Sequence, residues 1–167
     1  VNSYLCGRSN VGCIVGKFNS GRASCFQNCK FSGYVRALSK NAGGIVGLGY
    51  GDYSDLVNYG TVQADAYGGG IAGQCRDLVR AYNYGDISYR KGVLQSDKDI
   101  SGRYFGGITG NSDCRSYCVN YGSVTGISMV GGICGQPDEW GSDVRYCENK
   151  GIVTGKKKVG GICSWVY

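Results

Sequence analysis

The side chains most capable of chemistry are the ten cysteines, because the sequence contains no histidine. No two cysteines are separated by only two residues, as they are in the usual zinc and thiol-redox motifs. The common serine and cysteine hydrolases also need a histidine base. We therefore expect no catalytic residue of these kinds and no zinc centre, which leaves pairing or packing as the role of the cysteines.

Several cysteines recur in the same sequence context. The disulfide candidates are Cys118 with Cys147, Cys134 with Cys163, and Cys25 with Cys29. If equivalent residues stack in parallel strands about 4.8 Å apart, the first two pairs fall inside the Cα window of a disulfide. Leu56 and Ala81 occupy the position of Cys118 in other copies of the repeat. That substitution favours packed thiols at these positions, with disulfides as the alternative.

One short segment begins like a calcium-binding loop. Asp97, Asp99 and Ser101 supply oxygens at positions one, three and five, and Gly102 takes the glycine position. The twelfth position, where a bidentate acid belongs, is Ile108. The pattern predicts at most a weak calcium site, and an ordinary solvated loop fits it better. No other cofactor is indicated.

Acidic side chains can also cleave glycans when two of them converge on one bond. The candidates are Asp97, Asp99, Asp138, Glu139 and Asp143. All of them stand in insertions or turns, and none occupies a repeated position. We keep a carbohydrate-active enzyme as a weak alternative and predict a non-catalytic chain.

Basic and aromatic residues are the candidates for binding a partner, and the formal net charge is +6. The basic candidates are Arg90, Lys91, Lys98, Arg103, Lys156, Lys157 and Lys158, and the aromatic candidates are Tyr59, Tyr84 and Tyr121. A basic edge suits acidic glycans better than nucleic acid here, although lysines also protect strand edges from aggregation. The tyrosines either pack against sugar rings or brace a corner by stacking, and we favour bracing.

These residues sit in an internal repeat. Its anchor is the isoleucine of a G-I-x-G motif, at Ile14 (as C-I-V-G), Ile45, Ile71, Ile108, Ile133 and Ile162 (as G-I-C-S). A second block, Asn-x-Gly-x-Val, returns between successive anchors, and its Asn residues are Asn58, Asn83, Asn120 and Asn149. Its glycines are Gly33, Gly60, Gly85, Gly122 and Gly151, and its last position holds Val35, Val62, Ile87, Val124 and Val153. One insertion, near 88–103, interrupts the period.

Each unit contains three short apolar segments, which are too short for helices and rich in β-branched residues. Constant blocks with length changes confined to turns are typical of a solenoid. We predict one all-β domain over 1–167, a right-handed parallel β-solenoid of about five to six rungs of roughly 25 residues with three short strands each. The Ile, Val and Cys/Leu/Ala columns should form the core, and the Asn and Gly columns should supply positive φ angles at a corner.

The recurring G-I-x-G, followed by Cys-x-Asn-x-Gly-x-Val, resembles the GLUG repeat, named for its Gly-Leu-any-Gly core. The resemblance covers the whole chain, which differs in using Ile for the Leu and in carrying the insertion. It implies a secreted or cell-surface location in bacteria, because such repeats occur in large surface proteins.

We therefore expect a fragment of a longer repeat protein that acts as a non-catalytic surface stalk or adhesin. Its inserted loops and basic edge would contact a glycan or a surface protein. The alternative is a structural protomer that stacks end to end with neighbouring repeats or other copies. The sequence has no apolar run of membrane-spanning length, and nucleic acid is not favoured as a partner.

Overall fold

The structure is a computed structural model that describes residues 2–19, 25–90, 103–111, 116–137 and 143–165. In chain order the strands are β1 (Asn2–Gly7), β2 (Val15–Phe18), β3 (Cys25–Gln27), β4 (Lys30–Ala37), β5 (Ala42–Gly43), β6 (Val46–Asn58), β7 (Thr61–Ala64), β8 (Gly68–Gly69), β9 (Ala72–Asn83), β10 (Ile87–Tyr89), β11 (Phe105–Gly106), β12 (Thr109–Asn111), β13 (Val119–Asn120), β14 (Val124–Thr125), β15 (Ser128–Gly131), β16 (Cys134–Gln136), β17 (Glu148–Asn149), β18 (Val153–Thr154) and β19 (Lys157–Gly160). The described part of the chain contains no helix.

The strands stack into three parallel faces, and one turn of the chain, called a rung here, passes through each face in sequence. Face A is built from β1, β4, β7, β10, β14 and β18, and face B from β5, β8, β11, β15 and β19. Face C is built from β2, β3, β6, β9, β12, β13, β16 and β17, and β4 continues from it into face A. The fold is a β-solenoid of about five turns, as the sequence predicts.

The predicted core columns are confirmed. Backbone hydrogen bonds link each anchor isoleucine to the next, from Ile14 through to Ile162, with N–O distances near 3.0 Å, such as 3.0 Å from Ile45 to Ile71. On face A, Val62 lies between Val35 and Ile87 in register. The isoleucines of the inner rungs are fully buried. The repeat therefore exists because each position of a rung must match the same position above and below it.

An asparagine ladder runs through the interior beside these columns. The Nδ2 amide of Asn58 donates to Oδ1 of Asn83 at 2.7 Å, Asn83 donates to Asn120 at 2.7 Å, and Asn120 donates to Asn149 at 2.8 Å. Each amide also donates to the carbonyl oxygen two residues later, as Asn83 does to Gly85 at 2.8 Å. The predicted ladder is confirmed, and its polar groups are satisfied without water.

The second glycine of each G-G-I motif makes room for this ladder. A Cβ atom on Gly70 would lie 2.4 Å from Cγ of Asn83, and one on Gly107 would lie 2.2 Å from Cγ of Asn120. Real Cβ atoms do not approach so closely, so only glycine fits at these two positions. The glycine pair and the asparagine are thus two halves of one packing arrangement.

The prediction that the Asn and Gly columns take positive φ angles is wrong for most of them. Among the described glycines only Gly33 has a positive φ, of 129°. The left-handed residues form two other columns, one holding Asn28, Asp55, Arg80, Tyr117 and Tyr146, and one holding Asn10, Asn41, Tyr67, Met129 and Lys158. In both columns, the neighbouring rungs hold the turn in place. Residues with no preference for the left-handed conformation therefore adopt it.

Candidate functional site

A continuous surface lies on the outer side of the short strand segment that ends face C. Inward positions of this segment carry the buried core and the asparagine ladder, so the alternate positions point outward. The outward positions form three columns: Asn28, Asp55, Arg80, Tyr117 and Tyr146; Lys30, Val57, Tyr82, Val119 and Glu148; and Ser32, Tyr59, Tyr84, Tyr121 and Lys150. Six of these side chains are tyrosines, and we call this surface the tyrosine face.

The third column contains the predicted tyrosines, and the structure stacks them. The ring centroids of Tyr59 and Tyr84 are 5.0 Å apart with planes inclined by 12°, and those of Tyr84 and Tyr121 are 4.6 Å apart at 4°. Partial desolvation, with smaller contributions from Tyr121 and Tyr59, raises the pKa of Tyr84. The rings remain accessible, because Tyr59 is 55% exposed and Tyr121 39%.

The first column adds a second stack that the sequence reasoning missed. The centroids of Tyr117 and Tyr146 are 5.0 Å apart at 9°, and both side chains are more than half exposed. Tyr82 lies between the two stacked columns. A signal was present in the sequence, because Tyr117 and Tyr146 each directly precede a repeated cysteine.

Two of the three cations on the tyrosine face are paired within it. The Arg80 guanidinium donates to both carboxylate oxygens of Asp55 at 2.6 and 2.8 Å. The hydrogen bond from Arg80 is the main reason that the pKa of Asp55 is lowered. Lys150 lies 3.3 Å from the Glu148 carboxylate, and its Nζ is 5.0 Å from the Tyr121 ring centroid. The face is therefore rich in tyrosine, and its three cations and two carboxylates leave it with one excess positive charge.

One of the predicted basic candidates, Arg103, does not lie on an exposed edge. Arg103 is buried, and its Nη2 lies 3.5 Å from Oδ1 of Asp65, which is also buried. Its guanidinium lies over the ring of Tyr89, 5.4 Å from the centroid. Arg103 is thus an interior ion-pair residue and not part of an exposed edge, because the compensating charge of Asp65 lies inside the solenoid.

The other described basic candidates follow strands of face A that lie two rungs apart, β10 and β18. Arg90 directly follows β10, and its Nη1 donates to Oε1 of Gln63 at 3.3 Å. Lys156, Lys157 and Lys158 are exposed at the start of β19, and Lys158 lies 3.5 Å from the centroid of the Trp165 ring. Lys91 and Lys98 lie outside the described residues.

The structure brings the cysteine candidates of adjacent rungs together. Cys134 and Cys163 form a parallel bridge pair, and the backbone N–H of Glu148, the residue after Cys147, donates to the carbonyl oxygen of Cys118. A hydrogen bond with the Cys118 thiol, followed by burial, raises the pKa of the Cys147 thiol. Burial, followed by the neighbouring Cys134, raises the pKa of Cys163 to about 12.

The residues of this cluster are thiols in the structure. The thiol at three positions of the column donates to the carbonyl oxygen two residues earlier, at 3.4 Å for Cys29, 3.5 Å for Cys118 and 3.3 Å for Cys147. The side chain of Cys25 lies outside the described residues. Packed thiols and disulfides both stay predictions.

The calcium candidates Asp97, Asp99 and Ser101 lie outside the described residues, as do the acids Asp138 and Glu139. Asp143 accepts a hydrogen bond from Arg145 at 2.6 Å. Within the described ranges no group of three histidine, cysteine or acidic side chains is placed to hold a metal ion. The same ranges hold no helix with the length and apolar character of a membrane span.

Comparison with known proteins leaves the site to be interpreted from its own geometry. No protein-family model matches the chain, and neither curated proteins nor solved structures yield a match.

Proposed function

We propose that this chain is a non-catalytic extracellular repeat module of a bacterial surface stalk or adhesin, whose side faces contact glycans. The observation that supports this proposal best is the tyrosine face, an exposed aromatic surface held on a solenoid with a continuous core. Isolated exposed tyrosines are ordinary, but a contiguous aromatic patch on a monomeric fold is typical of an interaction surface.

The fold suits such a role because its side faces are presented at fixed spacing. Each rung is bonded to its neighbours through three faces and through the buried amides of the asparagine ladder. A ligand that spans several rungs therefore meets groups whose positions are set before binding, which lowers the entropy cost of association. The resemblance to GLUG repeats supports the extracellular part of the proposal.

The experiment is to probe an array of neutral, acidic and mucin-type glycans with the purified chain. We expect saturable binding to at least one glycan class. A monodisperse, folded preparation that binds none of them would contradict the proposal.

A second candidate is a structural protomer that stacks end to end. It is favoured by exposed apolar residues on the last described rung, where Ile152 is 74% exposed and Val159 46%. Lys156, Lys157 and Lys158 on the same rung work against strand pairing between copies, because like charges would meet. Sedimentation velocity over a range of concentrations separates the candidates, since growth into fibres requires stacking and a constant monomer excludes it.

A further inference from the structure

We propose that the tyrosine face binds uncharged glycan chains, which lie along the solenoid axis against the column Tyr59, Tyr84 and Tyr121. This inference rests on the proposed glycan-binding function and gives it a place and a ligand class. It differs from the expectation drawn from the sequence, in which basic side chains recognise an acidic glycan.

The first argument is the charge of the face. Two of the three cations on the face, Arg80 and Lys150, each contact a carboxylate on the same face, and the third is Lys30. An acidic ligand would have to break these pairs to gain a counter-charge, so it gains little there. A neutral ligand leaves both pairs intact. The two ion pairs beside the tyrosines thus favour a ligand with no net charge.

The second argument is the arrangement of the rings. Their centroids are 4.6 to 5.0 Å apart, which exceeds the contact distance of about 3.5 Å between stacked carbon atoms. The nearly parallel rings are therefore offset, like shingles, and each leaves part of one face uncovered. Sugar rings pack their apolar C–H faces on such surfaces. An uncharged glycan supplies these faces repeatedly along its length.

The third argument concerns the two ends of the column. Lys150 covers Tyr121 at one end, while Ser32 stands in the position beyond Tyr59 at the other end. Serine is too small to cover an aromatic ring, which leaves the outer face of Tyr59 as the most open one. Tyr59 is also the most exposed ring of the column. We therefore assign Tyr59 as the main stacking platform.

The fourth argument is the hydrogen-bonding capacity of the rim. Tyrosine hydroxyls both donate and accept, as sugar hydroxyls do, and they recur on this face with the rung spacing of roughly 4.8 Å. An extended β-linked glycan advances by a comparable length per sugar. A chain lying along the axis can therefore repeat its contacts from rung to rung, whereas a chain lying across the face cannot.

The test measures binding of the full chain to cellohexaose, a neutral glycan, and to polygalacturonate, an acidic one. The main variant is Tyr59→Ala. Its matched control is Tyr4→Ala, which removes another exposed ring with a single stacked partner, since Tyr4 is 71% exposed and lies 4.9 Å from Tyr34 on face A. Tyr59→Phe keeps the ring and removes only the hydroxyl. Thermal unfolding of every variant shows that it is folded.

We expect cellohexaose to bind the unaltered chain, Tyr59→Ala to weaken binding by about tenfold or more, and Tyr4→Ala to leave it within about twofold. Tyr59→Phe should retain most of the affinity, because the ring face carries the contact. Equal weakening by Tyr59→Ala and Tyr4→Ala would overturn the inference. The inference would also be overturned if the chain bound polygalacturonate but not cellohexaose, and if replacing Lys156, Lys157 and Lys158 with Gln abolished that binding.

The outcomes separate this inference from the proposed function. Binding of polygalacturonate without cellohexaose leaves a glycan-binding module but removes the tyrosine face as its site. Failure of both probes together with a blank glycan array removes the proposed function and the inference with it.

Discussion

The asparagine ladder and the stacked column Tyr59, Tyr84 and Tyr121, called the tyrosine ladder here, occupy adjacent positions of the same repeated motif. They lie on opposite sides of the solenoid wall. Asn83 is fully buried, and its amide is bonded to the rungs on both sides. Tyr84 follows it directly and stacks on both neighbouring tyrosines while remaining 45% exposed. Both ladders repeat from rung to rung, but only the outer, tyrosine ladder has side chains that remain exposed and can contact a ligand. Repetition alone therefore does not distinguish a structural column from a functional one.

Removing a member of the inner ladder should have the largest effect on stability. Asn83→Ala leaves the Asn58 amide, the Asn120 carbonyl oxygen and the Gly85 backbone without their buried partner. Unsatisfied buried groups cost about 1–3 kcal/mol each, so we expect a loss of about 3 kcal/mol or more. Chemical denaturation measures it. Asn149→Ala, at the less buried end of the ladder, is the matched control and should cost less.

Alkaline pH should weaken the interior next most strongly, through the cysteine cluster. The pKa of Cys163 is raised from 9.0 to about 12 in the folded chain. Its contribution to stability is therefore fully present below about pH 9 and falls as the pH rises towards 12. At pH 10 the loss is of order 1 kcal/mol. Denaturation curves at pH 7 and pH 10 should show a smaller pH dependence for Cys163→Ala, and an unchanged dependence would contradict this origin.

Truncating a side chain of the tyrosine ladder should lower stability less than truncating one of the asparagine ladder. Tyr84→Ala removes two stacking contacts but leaves no buried polar group unpaired, so the loss should be smaller than that of Asn83→Ala. Tyr84→Phe, the matched control, keeps the stack and should be close to neutral. The same denaturation experiment decides the matter, and a Tyr84→Ala loss as large as that of Asn83→Ala would show that the outer ladder is structural.

Acid pH should have the smallest effect, because the ion pair on the tyrosine face is exposed. The Arg80 guanidinium lowers the pKa of Asp55, so the pair contributes above the ordinary carboxyl pKa and is lost as the pH falls through the lowered value. Asp55→Asn should therefore shift the unfolding midpoint slightly at pH 7 and not at pH 2. An equal shift at both pH values would contradict an electrostatic origin.

Much of the architecture could be predicted because the same residue recurs at the same position of each rung. The columns of anchor isoleucines and of asparagines could be predicted because rungs stack in register, which places equivalent residues on one another. The left-handed corners could not be predicted in this way, because Asp55, Arg80 and Tyr117 share a backbone conformation and no side-chain chemistry. Their conformation is imposed by the rungs, and local preference does not reveal it.

The candidate site was predicted only in part, for two physical reasons. Tyr59, Tyr84 and Tyr121 share one column and were identified, but the second stack, Tyr117 and Tyr146, stands four residues earlier on the same strand segment, outside the Asn-x-Gly-x-Val block. The equivalent position holds Asn28, Asp55 and Arg80 in the other rungs, so no repeated tyrosine marks this column in the sequence. Arg103 was assigned to a basic edge because it lies in the segment after G-x-V, where stacked rungs would gather basic side chains. Its partner, Asp65, precedes the insertion and is distant in sequence, so the buried pair becomes visible only when the rungs are stacked.

The most direct test compares Asn83→Ala and Tyr59→Ala in two measurements on the same preparations, the free energy of unfolding and the dissociation constant for cellohexaose. We predict that each variant loses one of the two properties and keeps the other. Asn83→Ala should lose stability and, at a temperature where it remains folded, bind cellohexaose nearly as well as the unaltered chain, while Tyr59→Ala should unfold nearly as the unaltered chain does and lose binding. If both variants lose the same property, the separation of an inner structural ladder from an outer binding ladder is contradicted.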